Sequence, residues 1–161
     1  MKVIFLDIDG VLNRAATLVR VDDCYMGIDP ALLRRLADVV QKTGAVIVLT
    51  STWKKCWHKN DWEKYKQDAF ADHLDAALLR HGLTVYDKTE DDLFDRGRGV
   101  LRWMQDKPVE AFVILDDAPF DYEERGLLPH LIRTQNARGL TPERANAALA
   151  LLTMRDQCKG C

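Results

Sequence analysis

The stretch FLDIDGVLN, residues 5–13, sets two carboxylates, Asp7 and Asp9, directly after an apolar run and then turns at Gly10. The run reads as a buried strand, and Asp and Gly end it in a turn. Carboxylates at the edge of a core are costly unless positive charge or hydrogen bonds compensate them. A chain with this stretch must therefore fold so that other charged or polar groups meet Asp7 and Asp9 at the strand end.

Four further runs read as strands: AVIVLT (45–50), LTVYD (83–87), AFVILD (111–116) and LIRT (131–134), beside KVIFLD (2–7). Most are continuously apolar rather than alternating, the pattern of a parallel sheet covered on both faces. Helical patterns lie between them. In DPALLRRLADVVQKTG, Asp29 is the N-cap, Pro30 the first helical residue and Gly44 the stop, with Leu32, Leu33, Leu36, Val39 and Val40 at helical spacing. A second helix is expected from about Asp61 to His81, with Trp62, Tyr65, Leu74 and Leu78 on one face. A third begins near Gly97, and a fourth starts at Thr141-Pro142. Alternation of strands and helices implies a doubly wound, Rossmann-like α/β fold with a five-stranded parallel sheet. The 161 residues suit a single domain spanning 1–161.

Charge and hydropathy exclude several classes. A net charge of −2 with mixed signs argues against a generally basic nucleic-acid binder. No apolar run approaches a membrane span, and Asp7 and Asp9 interrupt what could pass for a secretory leader. A cytoplasmic location is expected. Cys24, Cys56, Cys158 and Cys161 read as reduced thiols, and the terminal pair CKGC is half a metal site at most.

In a doubly wound sheet, ligands sit beyond the carboxyl ends of the strands. There the sequence places Asp7-Ile8-Asp9-Gly10, then Thr50-Ser51-Thr52, then Asp116-Asp117 with Asp121 close behind. Lys88, Arg96 and Arg98 precede the fourth strand. Each group alone has an ordinary structural use in a turn or a helix cap. Together at successive strand ends they suit a hard cation such as Mg²⁺ and a phosphoryl group. An aspartate can attack phosphorus, a second can protonate the leaving oxygen, and hydroxyls and a cation can hold the phosphoryl oxygens.

These residues resemble the haloacid dehalogenase (HAD) superfamily. FLDIDGVLN resembles its first motif, IVLTS its second and VILDDAPFD its fourth. More narrowly, LDIDGVLN, IVLTSTWK, RGRGVLRW, VILDD and GLTPE resemble the small HAD domains of Swiss Army Knife RNA repair proteins. The resemblance implies a phosphomonoester hydrolase working through an aspartyl-phosphate, on nucleic-acid ends or nucleotides. A phosphotransferase or phosphomutase on the same intermediate, or a non-catalytic receiver-like module, are the alternatives. Asp7 resembles the nucleophile and Asp9 the general acid/base. The side chains of Asp7 and Asp117, with Asp116 beside them and the main-chain carbonyl of Asp9, would hold Mg²⁺. Thr50 and Ser51 resemble the phosphate-binding hydroxyls. The third-motif cation is Arg96 in first place, with Lys88 and Arg98 as reserves.

WKKCWHKNDW, residues 53–62, interleaves Trp53, Trp57 and Trp62 with Lys54, Lys55, His58 and Lys59. It reads in two ways. Cations among aromatic faces form a platform for single-stranded nucleic acid, with Lys54 on the substrate. Alternatively the tryptophans pack on the sheet and the lysines are solvated, which the usual burial of Trp favours. The segments after the first and second strands are too short for a separate lid domain, so a minimal cap or none is expected. That leaves an open site guarded by residues 14–28 and 53–62.

Overall fold

A computed structural model of the protein describes residues 1–92 and 94–154, so Cys158 and Cys161 lie outside the described residues. Strand β1 (Lys2–Leu6) pairs in parallel with β2 (Val46–Leu49) on one side and β4 (Ala111–Asp116) on the other. β3 (Val85–Lys88) lies beyond β2, and β5 (Leu131–Arg133) beyond β4. The order is β3-β2-β1-β4-β5, all parallel, as the continuous apolar runs imply.

Both faces of the sheet are covered. Ile4, Leu6, Ile47, Leu49, Val113 and Leu115 share one core with helices α1 (Pro30–Thr43), α2 (Ala69–Leu79) and α4 (Pro142–Thr153). The alternate residues Val3, Phe5, Val48 and Ile114 face Val100 and Trp103 of α3 (Arg96–Met104). Phe5 meets Trp103 edge-on at 5.5 Å. Because side chains alternate across a strand and each face has its own helix layer, nearly every strand position is apolar.

The caps of α1 and α4 follow the sequence. Asp29 accepts from Ala31 N at 2.9 Å, Gly44 closes α1 at φ 66°, and Thr141 accepts from Arg144 N at 3.3 Å. The second helix is shorter than expected. It starts at Ala69, where Asp68 accepts from Phe70 N at 2.9 Å, and Asp61–Lys66 forms a separate 3₁₀ turn. Trp62 and Tyr65, 69% and 79% exposed, find no core to pack against. The Asp68 carboxylate offers the backbone a cap at that point, which stops the helix from extending further toward its N-terminus.

The chain leaves β1 toward β2 and β3, then returns to place β4 on the other side of β1. The crevice where that direction reverses lies between the carboxyl ends of β1 and β4, where such folds bind ligands. Backbone bonds extend the ladders into it: Asp7 N donates to Leu115 O, Thr50 N to Leu6 O and Thr134 N to Asp116 O, each at 2.9 Å. Gly10 turns the chain at φ +74°, and a Cβ there would run into the Asp117 carboxylate. Among the described residues no inserted domain covers this edge. The stretch between β1 and α1 adds only one antiparallel bridge, Arg20 to Met26. No described helix is long and apolar enough to cross a membrane.

Asp121 serves the fold. Its carboxylate accepts from Gly97 N at 2.6 Å and Arg98 N at 3.1 Å, satisfying the first turn of α3 and steadying Arg96. Asp121→Ala is expected to cost about 1–2 kcal/mol of stability by urea denaturation. An unchanged midpoint would show that this cap is dispensable.

Candidate active site

Asp7 follows β1 and is 4% exposed. Its Oδ1 accepts from Ile8 N at 2.8 Å, and its Oδ2 lies 3.0 Å from Arg96 Nη1. The same Nη1 donates to Asp116 Oδ2 at 2.8 Å. Asp116 is fully buried; Tyr122 donates its hydroxyl to the same Oδ2 at 2.8 Å, and Ala118 N donates to Oδ1 at 3.0 Å. The Arg96 guanidinium sits 4.1 Å above the Phe120 ring.

Asp7, Asp116 and Asp117 each bring a carboxylate oxygen within 4.8 Å of the others. Burial, then the charge of Asp116, pushes Asp7 up to about 6, although Arg96 pulls the other way. Burial also raises Asp116, and burial followed by the charge of Asp7 raises Asp117. Burial opposes the charge on Arg96, but Asp7 and Asp116 outweigh it and hold the guanidinium above its ordinary range. One guanidinium cannot balance three carboxylates. The donors are hard oxygens and the residual charge is negative, so the residues fit a hard divalent cation.

Asp9 is outside this cluster. Its carboxylate is exposed and held from two sides: Oδ1 accepts from Asn13 Nδ2 at 2.8 Å and Oδ2 from Trp53 Nε1 at 3.1 Å. Asn13 also accepts from Gly10 N at 3.0 Å, tying the turn to the side chain it presents. Neither Asn13 nor Trp53 was picked out as a partner of Asp9. Asn13 stands four residues after it, which is a local signal, whereas Trp53 comes from the next strand end.

Thr50 is fully buried, and its hydroxyl is left without a partner. Ser51 is equally buried, and its Oγ accepts from Trp53 N at 3.4 Å at the start of a 3₁₀ turn, Thr52–Lys55. Of the three candidate cations only Arg96 reaches Asp7. Lys88 donates to Lys54 O at 2.9 Å and Trp57 O at 2.6 Å, bracing the loop. Arg98 is exposed and 3.8 Å from Asp95.

The stretch 53–62 takes neither reading whole. Trp53 and Trp57 are buried and spent on hydrogen bonds to Asp9 and Asp75. Lys54, expected on the substrate, is 5% exposed and pairs with Asp91 Oδ2 at 2.6 Å, with Thr89 Oγ1 at 3.1 Å. Burial lowers the Lys54 ammonium despite Asp91. Lys59 pairs with Asp87 at 3.3 Å. Lys54, Trp53 and Trp57 are thus drawn into the fold, while Lys55, Lys59 and Trp62 stay exposed.

A protein-family model described as the HAD domain in Swiss Army Knife RNA repair proteins matches residues 3–145, from β1 into the first turn of α4. No curated protein and no solved structure matches the chain.

The raised Asp7 has a measurable consequence. An unfolded chain ionises Asp7 near pH 4, but the metal-free fold holds the proton until about pH 6. Stability therefore falls as pH rises through that interval, and Asn at this position has no such titration. In chelator, Asp7→Asn should gain roughly 1–3 kcal/mol relative to the parent between about pH 4 and pH 7.5. Urea denaturation at both pH values checks this; a pH-independent difference would contradict it. Adding Mg²⁺ at the higher pH should return the advantage to the parent chain.

Proposed function

The chain belongs to this HAD family, and from that premise we propose that it is a Mg²⁺-dependent phosphomonoesterase that works through an aspartyl-phosphate on Asp7. The observation that carries the reading is the pairing of two unlike carboxylates on one turn. Asp7 is buried among Asp116, Asp117 and Arg96, while Asp9 is exposed and aimed by Asn13 and Trp53. A receiver-like module has no use for the second.

In the proposed reaction an Asp7 oxygen attacks phosphorus as the bond to the leaving oxygen breaks, and Asp9 gives its proton to that oxygen. Asp9 then takes a proton from water as the water oxygen attacks phosphorus and releases the Asp7 carboxylate. The sum is an alcohol and inorganic phosphate. Trp53 and Asn13 hold Asp9 in place through both half-reactions. The unpartnered Thr50 hydroxyl is available to a phosphoryl oxygen, with Ser51 beside it, and Arg96 offsets charge developing near Asp7. Mg²⁺ held by Asp7, Asp116 and Asp117, with the Asp9 main chain, would neutralise phosphoryl charge. Lys54 is taken up by its pair with Asp91.

The substrate class proposed is a nucleotide or the phosphorylated end of a nucleic acid. The family description, which names RNA repair proteins, and the open edge of the sheet support it. The free thiols Cys24 and Cys56 suit a reducing, cytoplasmic setting.

A phosphate-release screen over nucleotides, sugar phosphates and 3′- or 5′-phosphorylated oligonucleotides tests this. Asp7→Asn should abolish turnover, since it removes the attacking charge at nearly constant shape. Asp9→Asn should lower kcat on alkyl phosphates on the order of 100-fold or more, and less on activated aryl phosphates that need little protonation. Normal turnover by Asp7→Asn would rule the mechanism out.

Activity should vanish in excess chelator and return with Mg²⁺. Ca²⁺ should inhibit, because its longer, more numerous bonds misplace the reacting groups. Asp117→Ala should raise the Mg²⁺ concentration needed for half-activity more than Asp121→Ala does. Full activity in chelator would contradict the metal assignment.

A further inference from the structure

A cavity of about 450 Å³ opens directly beside Asp9, and Tyr25, Met26, Trp53 and Phe70 form its walls. Three of the walls are aromatic and touch in series. Phe70 meets Tyr25 at 5.2 Å and Trp53 at 5.0 Å, both edge-to-face. The volume lies within the usual range for small-molecule sites, roughly 300–1,000 Å³.

The Tyr25 ring is 57% exposed, yet the backbone beneath it is well tied. Tyr25 O accepts from Val21 N at 3.0 Å, and Val19 O from Gly27 N at 2.8 Å. Asp22 Oδ1 caps the turn by accepting from Cys24 N at 2.8 Å and Tyr25 N at 2.9 Å. Ile28 N donates to His73 Nε2 at 3.0 Å, which pins the segment to α2. Gly27 makes that approach possible, since a Cβ there would come within 2.6 Å of the imidazole. The Tyr25 side chain is thus set at the cavity mouth on a backbone fixed beneath it.

The position of the cavity narrows the occupant. Asp9, the proposed acid/base, and Trp53, which holds it, both line the cavity. The group bonded to the oxygen that Asp9 protonates must therefore start at this cavity. Besides Asp9 the lining offers Thr52, Cys24 and Cys56 as polar groups, and Tyr25, Trp53 and Phe70 supply most of its surface as aromatic faces. A flat π-faced group fits them by stacking. Asp22 and Asp23 at the tip of the segment disfavour a second anionic group there.

We propose that this cavity takes the nucleobase of a nucleotide whose sugar oxygen carries the scissile phosphate, with Tyr25 as the stacking face and Phe70, inclined to it at 67°, beside the base. The proposal rests on the phosphatase reading of Asp7 and Asp9. A free mononucleotide and the terminal nucleotide of a strand present the same chemistry to these walls.

The test uses the Asp7→Asn chain with Mg²⁺, which needs no turnover, and measures binding of adenosine 5′-monophosphate and ribose 5-phosphate by titration calorimetry. The nucleotide should bind on the order of tenfold tighter, the worth of one stacked base. Tyr25→Ala should cut that ratio to below about threefold, while Tyr25→Phe, which keeps the ring, should preserve it. Equal binding of the two ligands, or a ratio that survives Tyr25→Ala, would overturn the proposal. Comparison of kcat/KM for mononucleotides and short phosphorylated oligonucleotides in the parent chain then distinguishes the two sources. Turnover of an aryl phosphate without base-dependent binding would remove the pocket assignment and leave the phosphatase. Base-dependent binding without turnover of any phosphomonoester would remove the phosphatase and leave a nucleotide site.

Discussion

The Arg96 guanidinium between Asp7 and Asp116 is the contact on which the rest of this edge depends. It joins the end of β1 to the end of β4 across the point where the sheet reverses direction. Buried carboxylates repel one another and lose hydration, so without a cation the two strand ends would be driven apart or neutralised. Arg96 comes from the first residue of α3, whose first turn Asp121 caps, and Tyr122 shares Asp116 with it. The start of α3 and the segment after β4 thus converge on the Asp116 carboxylate. The compensation is incomplete by design of the donor set: a third carboxylate, Asp117, leaves the cluster negative and suited to a divalent cation.

The loop after β2 links this cluster to the surface. Trp53 is buried on the sheet and spends its indole N–H on Asp9, so core packing directly orients an exposed carboxylate. Lys54 and Lys88 do related work, one paired with Asp91 and the other holding main-chain carbonyls of the same loop. Trp53, Lys54 and Trp57 therefore build a braced shoulder next to the site, held from behind by Lys88. What they leave open beside Asp9 is the aromatic cavity, whose outer wall is the short segment that returns from β1 to α1. Where no lid lies over the edge among the described residues, discrimination between ligands falls to such a wall.

Most of the fold was legible because its signals are local. Continuous apolar strands, Asp29-Pro30 with Gly44, and Thr141-Pro142 each carry their own reason for the structure they form. Helical spacing at Trp62 and Tyr65 implies a longer second helix than forms, because spacing does not report whether a core lies within reach. At the site, Asp7, Asp9, Asp116 and Asp117 were picked out as strand-end carboxylates, and three of the four cluster through their side chains.

Local sequence is enough to set the alternation of strands and helices, and hence which residues stand at the strand ends. That follows because periodicity, caps and turns act over a few residues. The packing of the whole chain decided that Arg96, and neither Lys88 nor Arg98, reaches Asp7. It also decided that Lys54 is buried against Asp91, that Trp53 steadies Asp9, and that Tyr25 and Phe70 wall one cavity. These pairings join residues far apart in the chain. Hydrogen-bond reach and charge compensation between them exist only once the sheet has placed its strand ends side by side.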